Sequence, residues 1–293
     1  EADMRTMVAR DIILGEASRC HPHFAREAAL AEPDLLRLTA LVAEGLGPVD
    51  PDHLDRQVGF LAYLVSEACE GDRAGDRAQA LRRVLAAEEG FGGAVEEIDD
   101  PRHLLLSAVV ETRRGLPIAL AVVYLAVAQR LGWPLGGLDF PGRFLLRDTA
   151  AEDVLVIDPC DPSAPLSRDD CRQLLRPAFG RLPEPAFDRF CDMRLDAVVT
   201  PRIIVARLLK QLEGCYLRRE MYGEVRLVIQ KLLLLDQAAI AEVRDLGEVH
   251  HMLGEHEQAL TCLKLYLDEA PYAADRVLVQ RVVRRIEEQV DRT

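Results

Sequence analysis

The side chains with the greatest capacity for chemistry in this sequence are its thiols and imidazoles. The seven cysteines, Cys20, Cys69, Cys160, Cys171, Cys191, Cys215 and Cys262, are odd in number and scattered. None has the CxxC spacing of a tetrahedral zinc site, and they read as reduced thiols. Cys20-His21-Pro22-His23 gathers three potential ligands, but no second cluster completes a four-ligand set. That string reads as a helix boundary, and neither a metal nor another cofactor is expected. Cys160 stands in Asp158-Pro159-Cys160-Asp161. A nucleophilic thiol must ionise, and two neighbouring acids oppose that, so Cys160 is a poor nucleophile and its plainer role is structural. His103 is the remaining imidazole of interest, with an exposed histidine at a helix start as its plainer reading.

These residues sit in a helical framework with a late change of period. Up to Gly115 the pattern is helical. After the turn Asp50-Pro51-Asp52, Leu54, Val58, Leu61, Leu64, Val65 and Ala68 recur at spacings of three and four. Stretches 31–46, 76–89 and 101–112 read as further helices, broken by Gly45, Gly47, the Gly90-Phe91-Gly92-Gly93 turn and Gly115. Arg113-Arg114 and Glu88-Glu89 read as solvated helix ends. Leu116 to Leu131 is apolar on nearly every side, as in a buried central helix, with Pro117 in its first turn where the missing N–H costs nothing. Trp133 follows it and reads as packing.

Beyond Gly132-Trp133-Pro134, residues 144–147 and 154–157 are short apolar runs around the acidic loop 148–153, which predicts an antiparallel hairpin. Four prolines within residues 176–201 suit a connection between domains. In the last third, a shift of 34 residues aligns Leu212 with Leu246, Cys215 with Val249, Val225 with Ala259 and Leu235 with Glu269, the period of a tetratricopeptide helix pair. Two pairs and a closing helix over 275–290 are expected. So short an array would need support from the first domain.

With 293 residues, 49% of them apolar, two domains are expected: 1–180 and 200–293. A net charge of −13 opposes binding to nucleic acid and to anionic membranes. No apolar run approaches a membrane span, and residues 1–20 lack a signal-peptide pattern, so the chain is read as cytoplasmic.

Three strings stand in register: Arg113-Arg114-Gly115-Leu116-Pro117-Ile118-Ala119-Leu120, then Phe140-Pro141-Gly142-Arg143-Phe144-Leu145-Leu146-Arg147, then Ile157-Asp158-Pro159. With Phe91-Gly92-Gly93 before them and Arg244-Asp245-Leu246-Gly247 after them, most of the chain resembles the bacterial SirB-type family of transglutaminase-like proteins with a C-terminal tetratricopeptide module. The resemblance implies an α+β, mainly helical chain. Its first part would be a degenerate transglutaminase-like, papain-like domain with a small antiparallel sheet, and its second an all-α repeat.

An active site of that kind uses a cysteine at the start of a buried helix, a histidine base on a neighbouring strand and an acid on the next strand. The resemblance places Pro117, Arg143 and Asp158 at these three positions. Proline carries no nucleophile and arginine stays protonated, so no catalytic residue is expected. Arg143 and Asp158 are expected to form an ion pair filling the old site, and they are the candidate ligand- or partner-binding residues. The expected function is non-catalytic: cleft and repeat helices hold a protein or peptide partner, with neither nucleic acid nor membrane as partner. Two alternatives stand beside it: a cysteine hydrolase, peptidase or acyl transferase with a rearranged site at Cys160, and a sensor of a small anionic ligand at Arg143.

Overall fold

The computed structural model describes residues 2–94, 96–151, 154–161 and 163–291. It opens with helices α1 (Ala2–Cys20), α2 (Pro22–Ala28), α3 (Leu35–Ala40), α4 (Pro51–Ala68) and α5 (Ala74–Leu81), the last continuing as a π-helical segment over Arg82–Glu88. Strand β1 (Gly92–Gly93), helix α6 (Leu106–Thr112), strand β2 (Arg114–Gly115) and helix α7 (Pro117–Arg130) follow. Strands β3 (Leu135–Phe140), β4 (Arg143–Asp148) and β5 (Val156–Ile157) come next, then α8 (Arg168–Phe179), α9 (Glu184–Asp196) and β6 (Val198–Val199). The chain ends in α10 (Pro201–Arg218), α11 (Tyr222–Leu235), α12 (Ile240–Met252), α13 (His256–Glu269) and α14 (Arg276–Val290).

The chain forms two compact units. A sheet-bearing unit comprises Asp34–Ala40 and Val49–Leu208; a helical unit comprises Glu1–Pro33, Leu41–Pro48 and Leu209–Thr293. The expectation of a domain over 1–180 places the first helices with the sheet, whereas here α1 and α2 belong with the C-terminal helices.

In the sheet-bearing unit α7 is the centre. Every residue from Ile118 to Ala128 is buried, and α3, α4, β3 and β4 pack around it. Leu116 caps the helix in an extended conformation and Pro117 occupies its first turn. Helix α4 supplies a stripe of Leu54, Val58, Leu61, Ala62 and Val65, and the Asp50 carboxylate caps it by accepting the His53 N–H at 2.8 Å. Each large aliphatic side chain so buried stabilises the fold by about 1.5–3 kcal/mol.

The four-stranded sheet has the antiparallel order β5-β4-β3-β6. Leu138, Phe140, Leu145 and Val156 of the sheet share a core with Cys171, Leu175, Phe187, Cys191 and Leu195. Residues 176–201 are therefore not an interdomain connection. They belong to α8, α9 and β6, built against the sheet within one unit. The prolines mislead because Pro185 and Pro201 stand in first turns, where no N–H is needed, while the apolar side chains of α8 and α9 recur at helical spacing. Two early strands, β1 and β2, form a parallel pair that the sequence does not announce, since each has two residues and three of the four are Gly. Arg77 fixes α5 to the end of β4, its Nε donating to the buried Asp148 carboxylate at 3.0 Å. Of the acidic loop after Asp148, Glu152 and Asp153 lie outside the described residues.

In the helical unit, α11 packs on α12, α12 on α13 and α13 on α14, and α1 lies against both α11 and α13. The five helices α10 to α14 follow one another in the order expected of two pairs and a closing helix, and α12 with α13 and α13 with α14 pack as such an array requires. Three of the four pairs aligned by the 34-residue shift share a role, Leu212 and Leu246, Cys215 and Val249, and Val225 and Ala259 all being buried, while of the fourth Leu235 is half-buried and Glu269 exposed. At the contact of α1 and α2 with α11, His21 and Lys231 are fully buried. The Lys231 amine donates to the Glu44 carbonyl at 2.8 Å, and a ring nitrogen of His21 meets the Gln230 amide oxygen at 3.1 Å. Burial pulls the Lys231 amine down to about 7, and burial together with the Lys231 charge pulls the His21 imidazole down to about 4.

Candidate functional site

The β3–β4 hairpin turns through Pro141 and Gly142, with Phe140 paired to Arg143. Gly142 adopts φ 72°, the left-handed backbone that glycine takes without strain. This turn sets Arg143 at the first position of β4. Strand β4 pairs with β5 through Leu146–Ile157 and Arg147–Val156, and Asp158 follows directly after β5, where the chain enters the turn at Pro159-Cys160.

Arg143 Nη1 donates to Asp158 Oδ2. The other carboxylate oxygen, Oδ1, accepts the Cys160 backbone N–H at 2.9 Å. The pair is lopsided in exposure: the Asp158 side chain is 3% exposed and that of Arg143 46%. A buried carboxylate is thus neutralised by a guanidinium that still faces solvent. Arg207 steadies Arg143 from the main chain, donating to its carbonyl at 3.0 Å, and stacks over the Phe144 ring at 5.4 Å. Pro117 has no side-chain group to add, so of the three vestigial positions the structure joins the second and third.

Cys160 sits directly behind the pair. Burial pushes its thiol up to about 12, the Asp158 charge adds to the shift, and Arg143 offsets part of it. Among the described residues no imidazole acts on this thiol, so it has neither a base nor a cation strong enough to ionise it near neutrality. Tyr124 of α7 completes the surroundings. Its hydroxyl is fully buried without a hydrogen-bond partner among the described residues, and burial raises its pKa, with smaller contributions from the Cys160 and Asp158 charges and an opposing one from Arg82. Sequence reasoning missed Tyr124 and Arg82. Tyr124 was submerged in an apolar helix, where its only signal was a hydroxyl in a segment apolar all round.

The other candidates fall elsewhere. His103 is buried rather than exposed: its Nε2 lies 3.2 Å from a Glu97 oxygen and its Nδ1 3.4 Å from the Arg114 carbonyl, because the turn at Pro101–His103 folds the ring under β2. His21 is occupied by Gln230, His23 by Glu44 at 2.7 Å, and Cys20 is exposed, so the Cys-His-Pro-His string does not converge on one point. Two groups of carboxylates and imidazole approach within ligand distance of each other, Glu97 with Asp100 and His103, and Glu213 with Glu242 and Asp245. Each holds a cationic side chain: Arg102 grips Asp100, and the Lys210 amine reaches both Glu213 and Glu242, at 2.8 and 2.7 Å. Trp133 is half-buried after α7. Arg113 and Glu89 are not solvated ends, since they pair with each other at 2.9 Å and the Arg113 guanidinium stacks over Phe91.

Chemically, the Arg143 guanidinium is engaged by the Asp158 carboxylate, and burial with the Asp158 charge opposes ionisation of the Cys160 thiol. No helix among the described residues is long and apolar enough to cross a membrane.

Residues 52–210 match the family model described as the transglutaminase-like superfamily, and residues 212–284 match the tetratricopeptide repeat. A UPF0162 protein of Xylella fastidiosa is 33% identical over 216 residues, covering 72% of this chain and 74% of that protein. A UPF0162 protein of Pseudomonas aeruginosa is 39% identical over 148 residues, 49% of this chain and 53% of that one. Mouse F-box only protein 21 is 37% identical over 68 residues, 23% of this chain and 11% of the mouse protein. No solved structure matches the chain significantly.

Proposed function

Given that this chain belongs to the transglutaminase-like superfamily, among the UPF0162 proteins, and carries a tetratricopeptide module, we propose that it is a non-catalytic binding protein that holds a protein or peptide partner. The observation that carries this is the Arg143–Asp158 ion pair standing where such a fold would place its base and orienting acid. A guanidinium remains protonated at every working pH, and removing it would leave a buried carboxylate uncompensated. The site is therefore stabilised in a form that does no acid–base chemistry. The helix pairs supply the complementary argument, since stacked pairs of this period present surfaces for segments of other chains.

The test is a thiol-reactive probe applied at neutral pH to the native protein, to Cys160→Ala and to denatured protein. Labelling of Cys160 no faster than of an unfolded thiol is expected. Fold-dependent, rapid labelling abolished by Cys160→Ala would overturn the proposal in favour of a cysteine hydrolase or acyl transferase with a relocated nucleophile. A second reading draws on the exposure of Arg143: a carboxylate ligand that displaces Asp158 from the guanidinium would make the site a sensor of small anions. Calorimetric titration with acetate and succinate, with Arg143→Lys as the control for two-pronged geometry, separates the two readings.

A further inference from the structure

The sheet-bearing unit carries two surface pockets that the vestigial triad does not use, of about 340 and 320 Å³. The first lies against the π-helical segment, with Gln79, Arg82, Arg83 and Ala87 on the helix side and Phe91 and Gly92 opposite. The second is walled by His53, Arg56, Gln57, Phe60 and Leu61 of α4 and by Arg113. Phe91 borders one pocket and Arg113 the other. The Arg113 guanidinium stacks over the buried Phe91 ring at 4.7 Å, so the two pockets are bordered by the two members of one stacked pair.

Two backbone features converge here. The Glu89 N–H donates to the Val84 carbonyl, five residues back, at 2.8 Å. Such wide turns are rare in helices and recur at functional sites. Arg113 adopts φ 62°, a left-handed conformation that costs a non-glycine residue energy and is held only where its surroundings fix it, here Phe91 and Glu89. The pocket linings contain four arginines and a histidine, and among the described residues no carboxylate, in a chain of net charge −13. Two acids, Glu70 and Asp76, line a smaller recess that shares Gln79 and Arg83 with the first pocket, and Glu88 holds Arg83 at 2.8 Å in a pair more than half exposed on the arginine side, which an incoming carboxylate can exchange at little cost. Phe60 and Tyr63, each 58% exposed, extend the apolar rim.

From this arrangement we propose that the paired pockets at the Phe91–Arg113 stack bind an acidic segment of a partner protein, its carboxylates meeting the arginines and a large apolar side chain entering each pocket. The inference rests on the reading of the chain as a protein-binding molecule, but on neither Arg143 nor Cys160. The arginines select charge, and the pockets, each larger than one aromatic side chain, select apolar bulk.

The test uses the full chain and anisotropy titrations with three labelled probes: the peptide Glu-Leu-Glu-Phe-Glu, its lysine counterpart Lys-Leu-Lys-Phe-Lys, and an oligothymidine. The acidic peptide is expected to bind, and to bind less tightly as salt rises. Reversing two exposed rim charges together, Arg56→Glu with Arg83→Glu, is expected to weaken it about tenfold or more, and Ala87→Trp, which fills the first pocket, to weaken it comparably. Arg168→Glu on α8 with Arg189→Glu on α9, a charge-matched control outside both linings, is expected to change affinity by less than about twofold. Thermal unfolding of each variant verifies that it is folded. Absence of binding by the acidic peptide, equal binding of the lysine peptide, tighter binding of the oligothymidine, or indifference to the double reversal would each overturn the proposal. Arg143→Ala separates the two proposals: it leaves peptide affinity unchanged here, whereas loss of peptide binding on Arg143→Ala would return the peptide to the vestigial site.

Discussion

In the sheet-bearing unit the two buried carboxylates, Asp148 and Asp158, each meet an arginine, Arg77 and Arg143. In the helical unit the fully buried Lys231 meets the Glu44 and Leu227 carbonyls, and the nearby Glu44 carboxylate is already taken by the Phe24 N–H and by His23. Both arrangements satisfy hydrogen bonds, but only the first neutralises charge. A buried group with an opposite charge keeps its ionised form and depends on its partner; a buried base without one gives up its proton instead. The arginine-paired carboxylates and Lys231 should therefore respond differently to mutation and to pH, while the buried Glu213 of the helical unit, held by Lys210, belongs with the paired carboxylates.

The largest expected effect is on the paired side. Arg77→Ala leaves Asp148 buried beside the remaining Ala150 N–H alone and should cost about 3–5 kcal/mol in urea unfolding. Lys231→Met, which removes an unneutralised base of similar volume, should be neutral or stabilising at pH 7. If Lys231→Met proves as costly as Arg77→Ala, the contrast between the two arrangements collapses.

Next comes pH. The folded His21 titrates near 4 against 6.5 when unfolded, so the unfolded state binds more protons between these values. Stability is then complete above about pH 6.5 and falls on acidification to pH 4, by on the order of 3 kcal/mol. Lys231 has the same sign in a higher window: its folded pKa of about 7 against 10.5 makes stability rise as pH climbs from 7 towards 10.5. Hydrogen exchange of the α11 amides across pH 5–9, with exchange chemistry corrected, should show both limbs. His21→Asn should remove the lower limb and Lys231→Met the upper.

Arg143→Ala should cost less than Arg77→Ala, about 1–3 kcal/mol, because Arg143 is half exposed and water can partly replace it. Thermal unfolding beside Arg77→Ala gives the ranking directly. The smallest effect is at Cys160: Cys160→Ala should shift stability by about 1 kcal/mol or less, as the loss of one partly buried sulfur.

The features legible in the sequence were local ones. The run 116–131 is apolar on all sides and is the buried α7; the apolar runs 144–147 and 154–157 announced the antiparallel pairing of β4 with β5, though not β3; the 34-residue shift placed equivalent core positions on successive helix pairs. The Arg143–Asp158 pair followed from adjacency of two strands. What stayed hidden depends on partners distant in sequence. Nothing in residues 2–20 announces that Ile13 and Ala17 are buried in a unit completed by residues beyond 209. Arg113 looked like a solvated helix end because its partners, Phe91 and Glu89, lie more than 20 residues away and the left-handed turn that brings it to them has no glycine to mark it. Tyr124 was hidden for the opposite reason, its ring fitting the apolar helix so well that the hydroxyl drew no notice.

The packing of α1 against α11 and α13 has a consequence for synthesis on the ribosome. Residues 49–208 interrupt the helical unit in sequence, so the sheet-bearing unit has all of its chain when Leu208 emerges, while α1 still waits for helices not yet made. At about 5–20 residues per second, the stretch from Cys20 to Leu235 takes about 10–40 seconds, during which the interior face of α1 lacks these partners and the nascent chain is open to chaperones and to misassociation. Stop codons placed between α10 and α11 should then yield chains whose sheet-bearing unit resists protease and whose first helix does not.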